Sequence, residues 1–139
     1  MKILLVEDAK SVMAFLNAQL SYFGYEVILA ENGQIAVDLF KKSAPDLVLM
    51  DIEMPVVNGF EAANRIRAIE ATQQWAWTPI IFLTASDKFE NLVTAIEAGG
   101  DDYIVKSAPQ GVLQAKMKAM ARIAMLRQRL RVLMSQAAT

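Results

Sequence analysis

The chain alternates short apolar runs with longer segments in which apolar residues recur every three or four positions. The short runs predict strands and the longer segments predict helices. The predicted strands cover residues 2–6, 26–30, 47–50, 80–83 and 103–105, and the predicted helices cover residues 11–23, 35–40, 60–69, 90–98 and 110–136. Because strands that alternate with helices usually form parallel sheets, we predict one α/β domain with a doubly wound, five-stranded parallel sheet.

Polar side chains follow the predicted strands at their carboxyl ends. Glu7 and Asp8 follow the first strand, Asp51 the third, Thr84 the fourth and Lys106 the fifth. Right-handed crossovers bring the carboxyl ends of parallel strands to one edge of the sheet, where open α/β folds bind their ligands. One polar residue at a strand end is ordinary, but this joint arrangement predicts a functional site.

The residue types that the chain lacks narrow the chemistry of this site. The sequence contains no histidine and no cysteine, which excludes a Ser-His-Asp triad, a thiol nucleophile and the usual zinc sites. Glu7, Asp8 and Asp51 would repel one another without a cation, and these carboxylates, with one backbone carbonyl after Asp51, suit Mg²⁺. An aspartate can attack phosphorus while a metal ion and Lys106 offset the developing charge. Asp51 is therefore the predicted phosphoacceptor.

Composition limits the cellular setting and the partners. The 139 residues are 55% hydrophobic and carry a net charge of -1, which predicts one soluble domain without a basic surface for nucleic acid. The apolar runs are too short to span a bilayer, and the amino-terminal segment lacks a signal-peptide cleavage pattern. With no disulfide framework in the sequence, we expect a cytoplasmic location.

Four sequence blocks together resemble the receiver domains of two-component response regulators. They are the acidic pair Glu7-Asp8, the segment LVLMDIEMPVVNG, the strand PIIFLTA and the segment GGDDYIVK, in the order and spacing of that family. The resemblance covers residues 2 to about 120. It implies a flavodoxin-like, CheY-like fold with strand order 2-1-3-4-5.

The resemblance also implies a role for each matched residue. Asp51 would be phosphorylated, Glu7 and Asp8 would be the acids beside Mg²⁺, and Lys106 would bind the phosphoryl group. The backbone carbonyl of Glu53 would complete the metal site. Thr84 and Tyr103 would form the switch pair, which repacks the surface made by the fourth helix, the fifth strand and the fifth helix.

The absence of histidine means that the phosphodonor histidine must come from another protein, unless a small phosphodonor is used. The resemblance implies a sensor histidine kinase or a histidine phosphotransfer protein as the donor. It implies a signalling domain rather than an enzyme, one that catalyses only its own phosphotransfer and dephosphorylation. An attached effector, such as a diguanylate cyclase or a phosphatase, would fit this role.

Two other functions use a similar arrangement of strands. A haloacid-dehalogenase-like phosphohydrolase also has an aspartate nucleophile at a strand end, but its motif would need an aspartate in place of Glu53 and would leave the acidic pair unexplained. A flavin or nucleotide binder with this strand order would need a glycine-rich phosphate loop after the first strand, where the chain has Glu7-Asp8.

The carboxyl-terminal segment predicts a helix longer than the sheet requires. Leu113, Met117 and Met120 have core spacing, after which a second apolar stripe follows at steps of three and four: Ile123, Leu126, Leu130 and Leu133. This stripe predicts a short coiled-coil seam. We therefore divide the chain into a receiver domain, residues 1–120, and a linker, residues 121–139, that forms a parallel homodimer and leads toward an effector.

Two details leave structural questions open. Ser107 follows Lys106 where the family usually has a proline in a cis bond, and a cis bond before another residue is costly. Trp75 and Trp77 lie in a long loop before the fourth strand, where they form either an exposed docking patch or a cover over the lower end of the core.

Overall fold

The computed structural model describes residues 1–73, 77–85 and 89–137. The strands are β1 (Lys2–Val6), β2 (Glu26–Ala30), β3 (Leu47–Asp51), β4 (Ile80–Thr84) and β5 (Asp102–Val105). The helices are α1 (Lys10–Tyr22), α2 (Gly33–Ser43), α3 (Gly59–Glu70), α4 (Phe89–Glu97) and α5 (Gln110–Ala137).

The strands form one parallel sheet in the order β2-β1-β3-β4-β5, which confirms the predicted topology. The strands β3 and β4 each continue one residue beyond their predicted ends. Asp51 pairs with Leu83 and Thr84 pairs with Val105, because the ladder of backbone hydrogen bonds does not stop where the apolar run stops. Asp51 and Thr84 are therefore held by the sheet itself.

The sheet has an apolar core on each face. On one face, β-strand side chains such as Met50 and Phe82 pack against α2, α3 and α4. On the other face, side chains such as Leu49 and Leu83 pack against α1 and α5. Successive residues of a strand point to opposite faces, so both cores draw on the same continuous apolar runs.

Methionines at helical core spacing are predicted to fill the interior, namely Met13, Met117 and Met120. Met117 is buried, and Met13 and Met120 are partly buried against the same core, which confirms this prediction. The spacing of Phe15, Leu16 and Leu20 predicts that all three face the core, but Phe15 is 63% exposed. It lies at the rim of a cavity of about 330 Å³ between α1 and α5, where the two helices are too far apart to cover its ring.

Two asparagines begin the helices that follow β2 and β3. Asn32 Oδ1 accepts a hydrogen bond from the Ile35 backbone N–H at 2.8 Å, and Asn58 Oδ1 accepts one from Glu61 at 2.9 Å. Each side chain satisfies a backbone donor that the first turn of a helix leaves without a partner. The dipeptide Asn32-Gly33 predicts a turn before α2, and Asn32 serves there as the helix cap.

An arginine network closes the lower end of the sheet, where the strands begin. The Arg67 guanidinium donates to the Gly99 and Thr78 carbonyl oxygens and to carboxylates of Glu70 and Asp101. The Trp77 ring lies 3.7 Å from the Arg67 guanidinium carbon and is 53% exposed. Trp77 thus covers an ion pair rather than the apolar core, while Trp75 lies outside the described residues.

Helix α5 runs without a break past the lower end of the sheet. Its 28 residues span about 42 Å at 1.5 Å per residue. Arg127 reaches under the sheet and donates to the Asp46 carbonyl oxygen at 3.4 Å, and burial lowers the pKa of its guanidinium. The stripe predicted as a seam is exposed: Ile123 by 38%, Leu126 by 63%, Leu130 by 46% and Leu133 by 61%. No described helix is both long and apolar enough to cross a membrane.

Candidate functional site

Three carboxylates meet at the carboxyl-terminal edge of the sheet. Oxygen atoms of Glu7, Asp8 and Asp51 all lie within 4.8 Å of one another. The pairing of Val6 with Met50 brings the next residues of β1 and β3, Glu7 and Asp51, side by side. Glu7 is 1% exposed and Asp51 is 2% exposed, whereas Asp8 faces solvent. The sheet register therefore produces the predicted acidic cluster.

Lys106 joins this cluster from β5. Its ammonium nitrogen lies 3.1 Å from Glu7 Oε2 and 3.1 Å from Asp51 Oδ1. Its backbone N–H donates to the Thr84 carbonyl oxygen at 2.7 Å, which extends the β4–β5 ladder by one step. The peptide bond after Lys106 is trans, since no peptide bond among the described residues is cis.

The environment favours the neutral form of Asp51. Burial raises the pKa of its carboxyl group to about 6, the hydrogen bond from Lys106 opposes this change, and the charge of Glu7 adds to it. Burial by itself would lower the pKa of the Lys106 ammonium, but its hydrogen bonds to Glu7 and Asp51 raise that pKa. The single ammonium group of Lys106 therefore offsets only part of the cost of burying the carboxylates of Glu7 and Asp51.

The donor set fits a magnesium ion. Glu7 Oε2 is buried and accepts no hydrogen bond from the described residues, although the Lys106 ammonium is nearby. Such an atom lacks a directional partner, and hard divalent cations bind carboxylate oxygens of this kind. The Glu53 backbone N–H donates to Asp51 Oδ1 at 3.3 Å, so the Glu53 backbone lies beside Asp51. That the Glu53 carbonyl binds the metal stays a prediction.

Thr84 and Tyr103 lie on the face of the sheet that packs against α2, α3 and α4. Thr84 is 3% exposed and continues the alternation of Ile80 and Phe82, both of which face that core. Tyr103 is partly buried against the same core, and the Lys116 ammonium lies 6.0 Å from its ring centroid. The structure therefore places both residues of the predicted switch pair on one face of the sheet.

Gly59 is a structural requirement of the site that sequence analysis did not identify. A Cβ atom at this position would lie 2.2 Å from the Asp51 carbonyl oxygen. The Gly59 backbone N–H also donates to the Ile52 carbonyl oxygen at 3.0 Å, which closes the loop after β3. The dipeptide Asn58-Gly59 signals a cap and a close backbone approach, so the sequence did contain a cue.

Comparisons with known proteins agree with this geometry. Residues 3–118 match the family model of the response regulator receiver domain. The chain belongs to this family. It is a phosphoacceptor receiver domain of two-component signalling, as the four sequence blocks indicated.

Individual relatives define how far the similarity extends. The transcriptional regulatory protein YxdJ of Bacillus subtilis is 36% identical over 87% of this chain, which spans 50% of YxdJ. The BeF3-activated receiver domain of Klebsiella pneumoniae RstA is 33% identical, with a TM-score of 0.78, over 88% of this chain and 99% of that one.

A third similar structure is a complex. It contains the Saccharomyces cerevisiae histidine phosphotransfer protein Ypd1 and the receiver domain of its downstream response regulator Ssk1. The match is 32% identical, has a TM-score of 0.77, and covers 84% of this chain and 85% of that one. The family match favours the receiver function over the phosphohydrolase and over the flavin or nucleotide binder. The chain spans about half the length of the curated relatives that it matches.

The raised pKa of Asp51 predicts a pH-dependent stability. Because the folded protein holds this proton more tightly than the unfolded chain, the stabilisation is complete below pH 3.8 and is lost as pH rises through about 6. In EDTA near pH 4, the free energy of unfolding of Asp51→Asn should be similar to that of the wild type or lower. Between pH 4 and 7 it should gain on the order of 2 kcal/mol relative to the wild type.

Urea unfolding at several pH values measures this gain. The control is Asp38→Asn, which changes an exposed carboxylate on α2. This variant measures the effect of removing a carboxylate outside the site. A difference between Asp51→Asn and the wild type that does not change with pH would contradict the predicted environment of Asp51.

Proposed function

We propose that Asp51 is the phosphorylated residue and that Mg²⁺ binds at Glu7, Asp8 and Asp51, with the backbone carbonyl of Glu53. The observation that carries this proposal is the buried Asp51 carboxylate held between Glu7 and Lys106, with an exposed acid, Asp8, beside it. When bound, the metal ion would neutralise the carboxylates and the incoming phosphoryl oxygens.

The chemistry assigned to the chain's own residues is simple. An oxygen of the Asp51 carboxylate attacks the phosphorus of a phosphohistidine. The phosphorus–nitrogen bond breaks as the new phosphorus–oxygen bond forms, and the leaving imidazole keeps the electron pair and takes up a proton. Lys106 stays within reach of the transferred oxygens and offsets their charge. We assign to this domain no reaction on a further substrate. In this proposal the domain is a phosphorylation switch rather than an enzyme.

The proposed donor is a sensor histidine kinase or a histidine phosphotransfer protein. Two observations support this partner: the sequence has no histidine of its own, and the similar Ssk1 receiver is in complex with a histidine phosphotransfer protein. The relatives that are about twice as long include transcriptional regulators. An effector that follows this domain in the intact protein would carry the output. With a net charge of -1, the domain itself is not proposed to bind nucleic acid.

The proposed signal passes from Asp51 through Thr84 to Tyr103. The Thr84 hydroxyl would bond to a phosphoryl oxygen, and the Tyr103 ring would move further into the core on the same face. This change would alter the surface formed by α4, β5 and α5. The shared face of the two side chains and the backbone bond from Lys106 to Thr84 support this route.

The proposed homodimer forms through the seam of α5. Ile123, Leu126, Leu130 and Leu133 repeat at steps of three and four and are all exposed. A parallel coiled coil with a second copy would remove this stripe from water. Helix α5 is continuous across residue 120, so no break in the helix marks a boundary there. The division into a receiver domain and a linker at this residue is therefore part of the proposal.

The phosphoacceptor assignment predicts a single covalent change. Acetyl phosphate with Mg²⁺ should add one phosphoryl group to the wild-type chain, and intact-mass spectrometry measures the addition. Asp51→Asn should remove the labelling at this position, because the amide has no nucleophilic oxygen anion. Peptide mapping identifies any neighbouring acceptor. Equal labelling of the Asp51 peptide in both proteins would disprove the assignment.

The proposed switch predicts that phosphorylation and its structural effect can be separated. Thr84→Ala should still be phosphorylated on Asp51, but the NMR signals of Tyr103 should respond much less than in the wild type. Thr84→Ser keeps a hydroxyl group and should restore most of the response. If Tyr103 responds equally in Thr84→Ala and in the wild type, the hydroxyl does not couple the two sites.

The proposed dimer predicts a change in mass that depends on the seam. The full chain should form a dimer in sedimentation equilibrium, and replacing Leu126, Leu130 and Leu133 together with Gln should leave a monomer. The matched control replaces Met125 and Val132 with Gln, since these residues are 58% and 47% exposed on the same helix but lie outside the seam. A monomeric wild type at high concentration, with and without phosphorylation, would exclude the dimer.

A further inference from the structure

Val56 has an unfavourable backbone conformation in the loop after β3. Its φ angle is 68°. The Val57 backbone N–H donates across it to the Pro55 carbonyl oxygen at 2.9 Å, so Val56 is the central residue of a γ-turn with positive φ. This turn is rare and strained, and a β-branched residue in it is a clear outlier because its side chain collides with the backbone.

The neighbours of Val56 impose this conformation. Met54 is 8% exposed and Val57 is 5% exposed, so the residues on both sides of the turn are anchored in the core. Asn58 caps α3, and Gly59 is bonded to Ile52. With both ends of the loop fixed in this way, the backbone at Val56 cannot relax without moving buried side chains.

The chain gains nothing from the valine side chain that would offset this strain. Val56 is 96% exposed, so its two methyl groups contact solvent rather than the core. A glycine would adopt the same φ angle without a steric cost, and an asparagine would adopt it at a lower cost. The Val56 side chain therefore destabilises the free domain in two ways. It makes the backbone conformation strained, and it exposes apolar surface to water.

Val56 lies at the rim of the phosphorylation site. Three Cα–Cα steps of at most about 11 Å in total separate it from Gly59, and the Gly59 backbone touches the Asp51 carbonyl oxygen. A protein that presents a phosphohistidine must bring its imidazole into bonding distance of Asp51. A typical protein interface covers about 800 Å² on each partner, a patch roughly 30 Å across. Such a donor would therefore cover Val56.

From these observations we infer that Val56 is a contact residue for the protein phosphodonor, and that burial of its side chain against the donor offsets the strain of the free loop. This inference rests on the proposed function of Asp51. It assigns to Val56 a role in recognising the donor and none in the chemistry of phosphoryl transfer. Small phosphodonors, which have no surface to contact the loop, should not depend on it.

Three variants of Val56 test the inference. Val56→Gly removes the strain and the side chain, Val56→Asn reduces the strain and makes the position polar, and Val56→Thr keeps the β-branched shape while replacing one methyl group with a hydroxyl. Val56→Gly and Val56→Asn should both raise the urea midpoint of the free chain. All three should react with acetyl phosphate within about twofold of the wild-type rate, because the site itself is intact.

The decisive measurement uses autophosphorylated histidine kinases from the same genome as probes. The kinase that transfers to the wild-type chain fastest is then used with each variant. Val56→Gly should lower kcat/KM for this transfer by about tenfold, which corresponds to 1.4 kcal/mol. Val56→Thr should lower it by a smaller factor. The control is Tyr22→Ala. Tyr22 is 85% exposed and is the last residue of α1, at the end of this helix that is farther from Glu7 and Asp8. This variant should accept the phosphoryl group at the wild-type rate.

Several outcomes would overturn the inference. An unchanged kcat/KM for Val56→Gly would exclude Val56 as a donor contact, and an unchanged or lower urea midpoint would exclude the strain. A wild-type chain that reacts with acetyl phosphate but with none of the kinases would also overturn it, while leaving Asp51 as the phosphoacceptor. Failure of the proposed function itself would be recognised separately, as an absence of Asp51 phosphorylation from every donor.

Discussion

The site depends on one ammonium group placed between two buried carboxylates. Lys106 lies 3.1 Å from Glu7 and 3.1 Å from Asp51, and both acids are almost fully removed from water. Two anions in such a setting repel each other and lose hydration, which is why one cation does not return the pKa of Asp51 to its ordinary value. The remaining imbalance of charge supports the proposed binding of a divalent cation at this site. A site that was already neutral and fully hydrogen-bonded would have little reason to bind one.

This arrangement depends in turn on the register of the sheet. Asp51 is the last residue of β3, and Glu7 and Lys106 directly follow β1 and β5. A slip of one residue in any of these strands would turn the corresponding side chain to the other face. The apolar runs of β1, β3 and β4 are buried on both faces of the sheet. Their burial therefore places the sheet between two layers of helices, but a strand shifted by one residue would bury a similar set of apolar side chains. Two hydrogen bonds between Lys2 and Asp46 hold β1 and β3 in one register at the end where these strands begin. Thr84 and Tyr103 then fall on the opposite face, against the core formed with α2, α3 and α4.

Two parts of the molecule have energetically unfavourable features in the free domain. The loop after β3 holds an exposed valine in a strained turn, and the end of α5 exposes an apolar stripe. Neither the Val56 side chain nor the apolar stripe is packed against the core formed by the described residues. The strained turn is beside the acidic cluster, whereas the stripe lies beyond the lower end of the sheet, past the contact of Arg127 with Asp46. The two surfaces are therefore far enough apart for different partners to use them.

The sequence by itself determined the fold class, the strand order through the family resemblance, and the acids and the lysine of the site. Alternating apolar runs and helical segments specify layers, and polar residues at strand ends collect at one edge whatever the details of packing. Only the tertiary structure decided which side chains are exposed, as Phe15 and Trp77 illustrate, because a helix or loop pattern does not state how closely its neighbours approach. The steric requirement at Gly59 and the strain at Val56 also needed the folded chain. Both arise from contacts and backbone angles imposed by residues buried elsewhere, and no local propensity contains that information.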